Sequence, residues 1–365
     1  LAGMLCFMVL WTLVTSRHRR AWYWLAVPAL FAAWANLHGS FGVGLVLLAV
    51  LAAGRSIDLL VRCGEFRAIR RDNHVRRYLL MLELAAVAVL LNPYGIRLYA
   101  EVLNIANNPN VADLVEWGPL QLRIFQGQTA AAIGLLLIVL YRLSPRRVTS
   151  AEVLLLCGFG AAALWTSRML VWWVPLAAYH AVLHASAIRH ARASSNESVQ
   201  PSPRKGLWSV VTVGAIFVCF GFTPFGGRLL HGDTGKLTMS KLVSHQTPLG
   251  VVEYLQKLSN EKRLPRGQAF NTFEWGDYLL WAGPPELNVF VASHAHLVPR
   301  EVWSDYVAIS NGSADWADRL DRYGVNLIVL DNATHDGLIR KLRENENWST
   351  YSDDVGAVFV RRKPI

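Results

Sequence analysis

The sequence is short of charge. Asp, Glu, Lys and Arg make up 17% of its 365 residues against 53% apolar residues, and the mean hydropathy is +0.27. That composition excludes a wholly soluble enzyme and belongs to a membrane protein. Cysteine is scarce as well. Cys6, Cys157 and Cys219 sit in apolar runs and Cys63 in a basic loop, with no Cys-x-x-Cys pair or Cys/His ligand spacing, so neither a disulfide framework nor a zinc site is expected. Also lacking are a Gly-rich phosphate loop, a Walker motif, a Gly-x-Ser-x-Gly elbow and any fixed-period repeat.

Acidic residues are scarcest in the first part of the chain. Residues 1–224 hold 20 basic and 9 acidic side chains, whereas residues 225–365 hold 16 and 17, so the high pI of 9.7 belongs to the first part alone. The basic residues lie in short clusters between apolar runs rather than along one polar face. They therefore read as a record of membrane topology and not as a nucleic-acid footprint. The chain opens on Leu1 inside an apolar run, with neither an initiator Met nor a basic n-region. This reads as the remainder of a cut helix, and so as a fragment, rather than as a signal peptide.

Roughly 17–25 apolar residues cross the hydrocarbon as a helix. Eight runs qualify or nearly qualify: about 1–15, 21–37, 41–61, 78–92, 128–143, 151–167, 169–188 and 207–224, of which the fourth and fifth are short and the fourth carries Glu83, so that each can instead be a helix buried among other helices. The loops between them alternate in charge. Those with Arg17, Arg19 and Arg20, with Arg62 through Arg77, with Arg142, Arg146 and Arg147, and with Arg189 through Lys205 share one side, which the positive-inside rule makes cytoplasmic. The opposite side receives residues 37–40, the long segment 93–127 and the tight junction at Ser167 and Arg168. The expected fold class is a membrane all-α bundle of about eight transmembrane helices, residues 1–224, followed by an extracytoplasmic α/β domain, residues 225–365.

The tail supports that class. The pattern predicts helices over 247–258, 275–281, 300–309, 313–323 and 336–345, interleaved with strands at 268–271, 288–292 and 325–330 and two final strands near 348–351 and 357–360. Strands alternating with helices imply a mostly parallel sheet closed by an antiparallel hairpin.

Candidate chemistry concentrates at the outer helix ends. Asn36 and His38, between the second and third runs, can hydrogen-bond a phosphate or cap two helices joined by a glycine turn. The long outer segment offers Arg97 and Glu101, then Asp113 and Glu116, which share one face if that stretch is helical and can act as a base or bind a divalent cation. Arg168 lies between two apolar runs with only Ser167 beside it, so it needs an anionic partner or the interface; a lipid phosphate suits its planar fork. In the tail, Asn271, Glu274 and Asp277 follow one strand, His294 and His296 a second and Asp331 a third. The carboxyl ends of parallel strands are where ligands bind.

Trp34 through Phe41, the Asn92-Pro93-Tyr94-Gly95 turn, Glu116-Trp117 and Phe270 through Leu279 together resemble bacterial polytopic proteins grouped with the C-type, polyprenyl-phosphate-dependent glycosyltransferases, relatives of the protein mannosyltransferases. The resemblance runs in order along nearly the whole chain. It implies a multi-pass protein of the bacterial inner membrane, an active site at the extracytoplasmic mouth, a polyprenyl-phosphate-linked sugar as donor, a cell-envelope glycan or protein as acceptor, and an outer tail domain. It also implies an acid in a first outer loop that would precede Leu1, and an Asp-Gly-Arg-like tail motif where this chain has Ser293-His294-Ala295-His296. On that reading Asp113, Glu116 or the preceding acid activates the acceptor, while Arg168, with His38, Asn36 and Arg97, holds the donor phosphate. A different class stays open: a non-enzymatic membrane protein whose tail binds an envelope glycan or partner.

Overall fold

The structure is a computed structural model that describes residues 2–15, 22–194 and 243–365. It divides into two compact units, residues 1–200 and 201–365; the domain boundary expected at 224/225 lies outside the described residues.

The first unit is helical: α1 (Ala2–Thr15), α2 (Tyr23–Leu37), α3 (Phe41–Cys63), α4 (Phe66–Arg71), α5 (Asn73–Val89), α6 (Arg97–Ala106), α7 (Pro109–Ala112), α8 (Phe125–Leu143), α9 (Ser150–Trp165) and α10 (Leu170–Ser194). Single 3-10 turns cover Val115–Trp117 and Ser167–Met169. Three stretches, Phe41–Cys63, Phe125–Leu143 and Ser167–Arg192, are long and apolar enough to cross a membrane. Of the eight spans expected, these three are shown among the described residues and the others are not. The helices α1, α2 and α9 are apolar but only 14, 15 and 16 residues long, and at about 1.5 Å per residue such helices fall short of a hydrocarbon core of roughly 30 Å. Helix α5 carries Arg76, Arg77 and Glu83. The eighth run, 207–224, lies outside the described residues.

Local chemistry sets the helix ends. Asp72 caps α5 by accepting from the His74 and Val75 amides, and the Arg55 guanidinium at 2.7 Å holds its carboxyl at about 2 against the opposing effect of burial. Gly64 ends α3 in the left-handed region at φ 70°. The bundle core is aromatic, with Phe7, Phe31, Trp34 and Phe41 all buried. The close approach of α3 to α9 depends on one residue: a Cβ on Gly54 would fall on the Ala151 backbone.

The second unit contains α11 (Leu249–Asn260), β1 (Gln268–Asn271), α12 (Gly276–Ala282), β2 (Asn288–Val289), α13 (Arg300–Ser310), α14 (Trp316–Arg322), β3 (Val325–Asp331), α15 (Asp336–Glu344), β4 (Trp348–Ser352) and β5 (Gly356–Arg361). The sheet order is β2-β1-β3-β5-β4. Strands β1, β2 and β3 are parallel, whereas β5 runs antiparallel to both β3 and β4. The sheet is therefore mixed, not mostly parallel. The terminal hairpin causes this by setting its second strand directly against β3. Asp353 closes that hairpin by accepting from the Val355 and Gly356 amides at 2.8 and 2.7 Å. Strand β3 is buried from Val325 to Leu330, as expected for a continuous apolar run inside a sheet.

Candidate functional site

The polar group at one end of the helical unit is built on the turn between α9 and α10. Helix α9 stops at Trp165, Thr166 is extended, and the 3-10 turn that follows presents Arg168. The loop before α8 is stitched to this turn, with the Ser167 amide donating to the Gly118 carbonyl at 2.9 Å and the Ser167 hydroxyl to the Glu116 carbonyl at 2.9 Å. These bonds bring Glu116 to Arg168, whose guanidinium donates to the Glu116 carboxylate. The guanidinium also lies 5.0 Å from the Trp117 ring centroid, within cation–π range. Both partners stay open to solvent, Arg168 at 42% and Glu116 at 58% side-chain exposure. The anionic partner Arg168 needs is thus supplied within the chain.

His38 caps the end of α2, its amide donating to the Trp34 carbonyl at 2.8 Å, and its Nδ1 accepts from the Ser40 amide at 3.1 Å. That contact leaves Nε2 as the nitrogen bearing the proton in the neutral ring. Desolvation first, and then the positive charge of Arg168, lowers its pKa. The Ser40 hydroxyl accepts from Trp34 Nε1 at 3.1 Å. Beside them Gly3 keeps α1 close, since a Cβ there would fall on the Ser40 hydroxyl.

Other expected residues have different duties. The Asn36 amide donates to the Ala32 and Leu91 carbonyls, both at 2.8 Å, and so ties α2 to the end of α5. Arg97 is exposed at the first position of α6 and does not join the Arg168 pairing. Asp113 and Glu116 do not share a helix face: α7 ends at Ala112, Leu114 is extended, and Glu116 belongs to the next turn. The Asn92-Pro93-Tyr94-Gly95 motif is a closed turn in which Asn92 accepts from the Tyr94 amide at 2.7 Å and donates to the Val89 carbonyl at 2.6 Å.

An apolar groove of about 410 Å³ lies between α8, α9 and the start of α10. Gly127, Ala130, Ala131 and Gly134 of α8 leave it open opposite Gly160 and Ala161 of α9, and Leu120, Leu164 and Leu170 also line it. Leu170 follows Arg168 by two positions, and the Leu120 amide bonds the Leu164 carbonyl at 3.3 Å, so the groove adjoins the charged turn.

In the tail, the strand ends are largely occupied by their own architecture. Asn271 is fully buried, donates to the Thr272 and Val291 carbonyls at 2.9 Å each, and accepts from the Phe290 amide at 2.9 Å and the Val291 amide at 3.3 Å. It is the pin between β1 and the segment after β2. Asp277 accepts from the Ser293 amide at 3.2 Å. The rings of His294 and His296 are 5.9 Å apart. Glu274 acts electrostatically on His335, which is buried before α15 with its Nδ1 2.8 Å from the Thr334 hydroxyl. Burial lowers the His335 pKa, while Glu274 and Asp331 oppose that shift.

Sequence reasoning missed a buried group in the first unit. Glu152, at the N terminus of α9, accepts from the Tyr141 hydroxyl and lies 2.7 Å from His184 Nε2 and 3.1 Å from His180 Nδ1. The signal was present: an acid opens an apolar run, and His180 and His184 sit at i, i+4 on one helix face. Both rings aim at the same carboxylate oxygen. Among the described residues no group of three or more His, Cys, Asp or Glu is arranged to hold a metal ion. Comparison with known proteins finds no family model that matches this chain and no curated protein that matches it.

Proposed function

We propose that this chain is a membrane glycosyltransferase that moves a sugar from a polyprenyl-phosphate donor to an acceptor on the extracytoplasmic face. The observation that carries the reading is an exposed arginine, paired to an exposed carboxylate, beside an apolar groove. An isoprenoid tail needs the groove and its phosphate needs the guanidinium, whose fork donates to two phosphate oxygens. The charge pattern supports the orientation, because the Arg-rich segments lie at the other ends of the same helices.

Donor phosphate and Glu116 compete for Arg168. Once the phosphate takes the guanidinium, the Glu116 carboxylate is released to act as base. The acceptor hydroxyl attacks the anomeric carbon and its proton goes to Glu116; the bond from that carbon to the phosphate oxygen breaks, and the polyprenyl phosphate leaves with the electron pair, neutralised by Arg168 and bonded by His38 Nε2–H. Charge stabilisation of the leaving group is the larger contribution. Transfer of radiolabel from polyprenyl-phosphate sugars in membranes containing the chain tests this. Label reaching an acceptor with the wild type and not with Arg168→Ala supports it; transfer that survives the substitution overturns the assignment.

A second reading draws on the tail. Trp281 is 72% exposed, and its ring lies 5.9 Å from that of Tyr278, a platform of the kind on which a glycan stacks. Glycan binding lost in Trp281→Ala, in a chain that transfers no sugar from any donor, would favour a non-enzymatic envelope-binding protein.

A further inference from the structure

The Arg-rich end of the helical unit contains a second cavity, of about 320 Å³, near the lower end of the roughly 300–1,000 Å³ range of small-molecule sites. It is remote from Arg168: the cavity reaches Asp58 on α3, whereas His38 and Ser40 precede Phe41 at the start of the same helix, about 25 Å away at 1.5 Å per residue.

Four of its lining side chains have buried polar atoms without a hydrogen-bond partner: Trp11 Nε1, His180 Nε2, and the ion-paired Arg146 Nη1 and Glu152 Oε2, which at 3.7 Å stand beyond hydrogen-bond distance of each other. Trp11, Glu152 and His180 are more than nine-tenths buried, at 6%, 1% and 5% exposure. Leaving such groups unsatisfied costs about 1–3 kcal/mol each, so their convergence on one space points to something that fills it.

The charges and the geometry define the occupant. Arg146 lies 3.7 Å from Glu152 and Arg55 2.7 Å from Asp72, so each arginine is balanced by an acid. Asp58 is held at the N terminus of α9 by the Ser150 amide and hydroxyl at 2.9 and 2.7 Å, where the helix dipole offsets its charge. The remaining titratable groups on the wall are His74 and His180 from α5 and α10, with Tyr78 and Tyr179. A wall balanced in this way does not select an anion. It presents two donors, Trp11 and Arg146, one acceptor, Glu152, and one group able to do either, His180. Hydroxyls both donate and accept, and Trp11, Tyr78 and Tyr179 line the same space with apolar ring surface.

We propose that this cavity binds a neutral polyhydroxylated ring of the monosaccharide or cyclitol class, either free or as the headgroup of a lipid. The site is separate from the transfer site and does not depend on that reading.

The test is equilibrium binding to the full chain purified in a detergent without a sugar headgroup. The probes are radiolabelled glucose, mannose, galactose and myo-inositol, the octyl glycosides of the three sugars, and inorganic phosphate as the anionic control. Saturable binding of at least one hydroxylated probe is expected, weakened about tenfold or more in Trp11→Phe and in Glu152→Gln, as loss of a buried hydrogen bond requires, and unchanged in Arg168→Ala. Preference for the free sugar or for the glycoside identifies the source. A Thr15→Cys variant keeps the test independent of the buried substitutions: bound sugar should slow its labelling by a water-soluble maleimide. No saturable binding together with unprotected Cys labelling, binding indifferent to both cavity variants, or binding of phosphate instead of sugar would overturn the proposal.

Discussion

Arg168 and Glu116 are 52 positions apart in the chain, yet the guanidinium donates directly to the carboxylate. Both groups remain substantially exposed, and exposed ion pairs contribute only about 0–1 kcal/mol to stability. The pair itself therefore adds little to stability, in contrast to the Ser167 contacts that hold the 116–120 loop on the turn.

The first prediction follows from that contrast. Arg168→Ala should leave thermal unfolding within about 1 kcal/mol of the wild type while lowering sugar transfer by roughly 10²–10³-fold, the usual cost of removing one charge-stabilising donor. Thermal scans and transfer rates on the same preparations check it. A large loss of stability accompanying the loss of transfer would make Arg168 a structural residue.

Gly54 makes the reverse prediction, a purely structural one. A side chain there meets Ala151 backbone rather than a movable side chain, so Gly54→Val should separate α3 from α9 and destabilise the helical unit by at least 1–3 kcal/mol, the usual range for overpacking. Unfolding of the full chain in detergent measures this. A variant as stable as the wild type would show that the two helices do not approach as described.

His335 predicts a pH dependence confined to the tail unit. Burial lowers its folded pKa below the unfolded value of about 6.5, so within that window the unfolded chain binds more protons. The stability held by the neutral ring is complete above about pH 6.5 and falls as the pH drops towards the folded pKa. Melting of the tail transition at pH 7.5 and at pH 5.5 should differ less in His335→Gln than in the wild type. Equal acid sensitivity in the two would assign the effect elsewhere.

Asn271 predicts stability without a binding role. Its amide makes four hydrogen bonds, three of them from β1 to the segment after β2, so Asn271→Ala should cost roughly 2–4 kcal/mol by leaving buried backbone groups unpaired. Denaturant titration of the tail transition checks it; a loss near zero would release Asn271 for ligand contact.

Much of the tail was legible in the sequence because local signals agree there. The buried run Val325–Leu330 became β3, and Gly324 stopped the preceding helix in the left-handed region at φ 61°. What the pattern did not reveal was pairing: nothing local says that β5, rather than β4, lies against β3, and that choice makes the sheet mixed. In the helical unit, apolar runs marked the helices but not their lengths relative to a membrane, because Glu83 and the Arg76-Arg77 pair sit on α5 itself. The lone Arg168 advertised its need for an anion, but its partner came from the Ser167 contacts that fold the 116–120 loop back onto the turn. Glu152 and its two histidines were invisible as a group because 28 residues separate Glu152 from His180, and only the packing of α9 on α10 joins them.

Binding of a sugar-free polyprenyl phosphate to the wild type, Arg168→Ala and Glu116→Gln tests the central claim most directly, because competition for one guanidinium gives the two variants opposite signs. The account predicts that Arg168→Ala loses the lipid phosphate, whereas Glu116→Gln binds it more tightly than the wild type and yet transfers no sugar from the complete donor. Weaker binding by Glu116→Gln, or undiminished binding by Arg168→Ala, would contradict it.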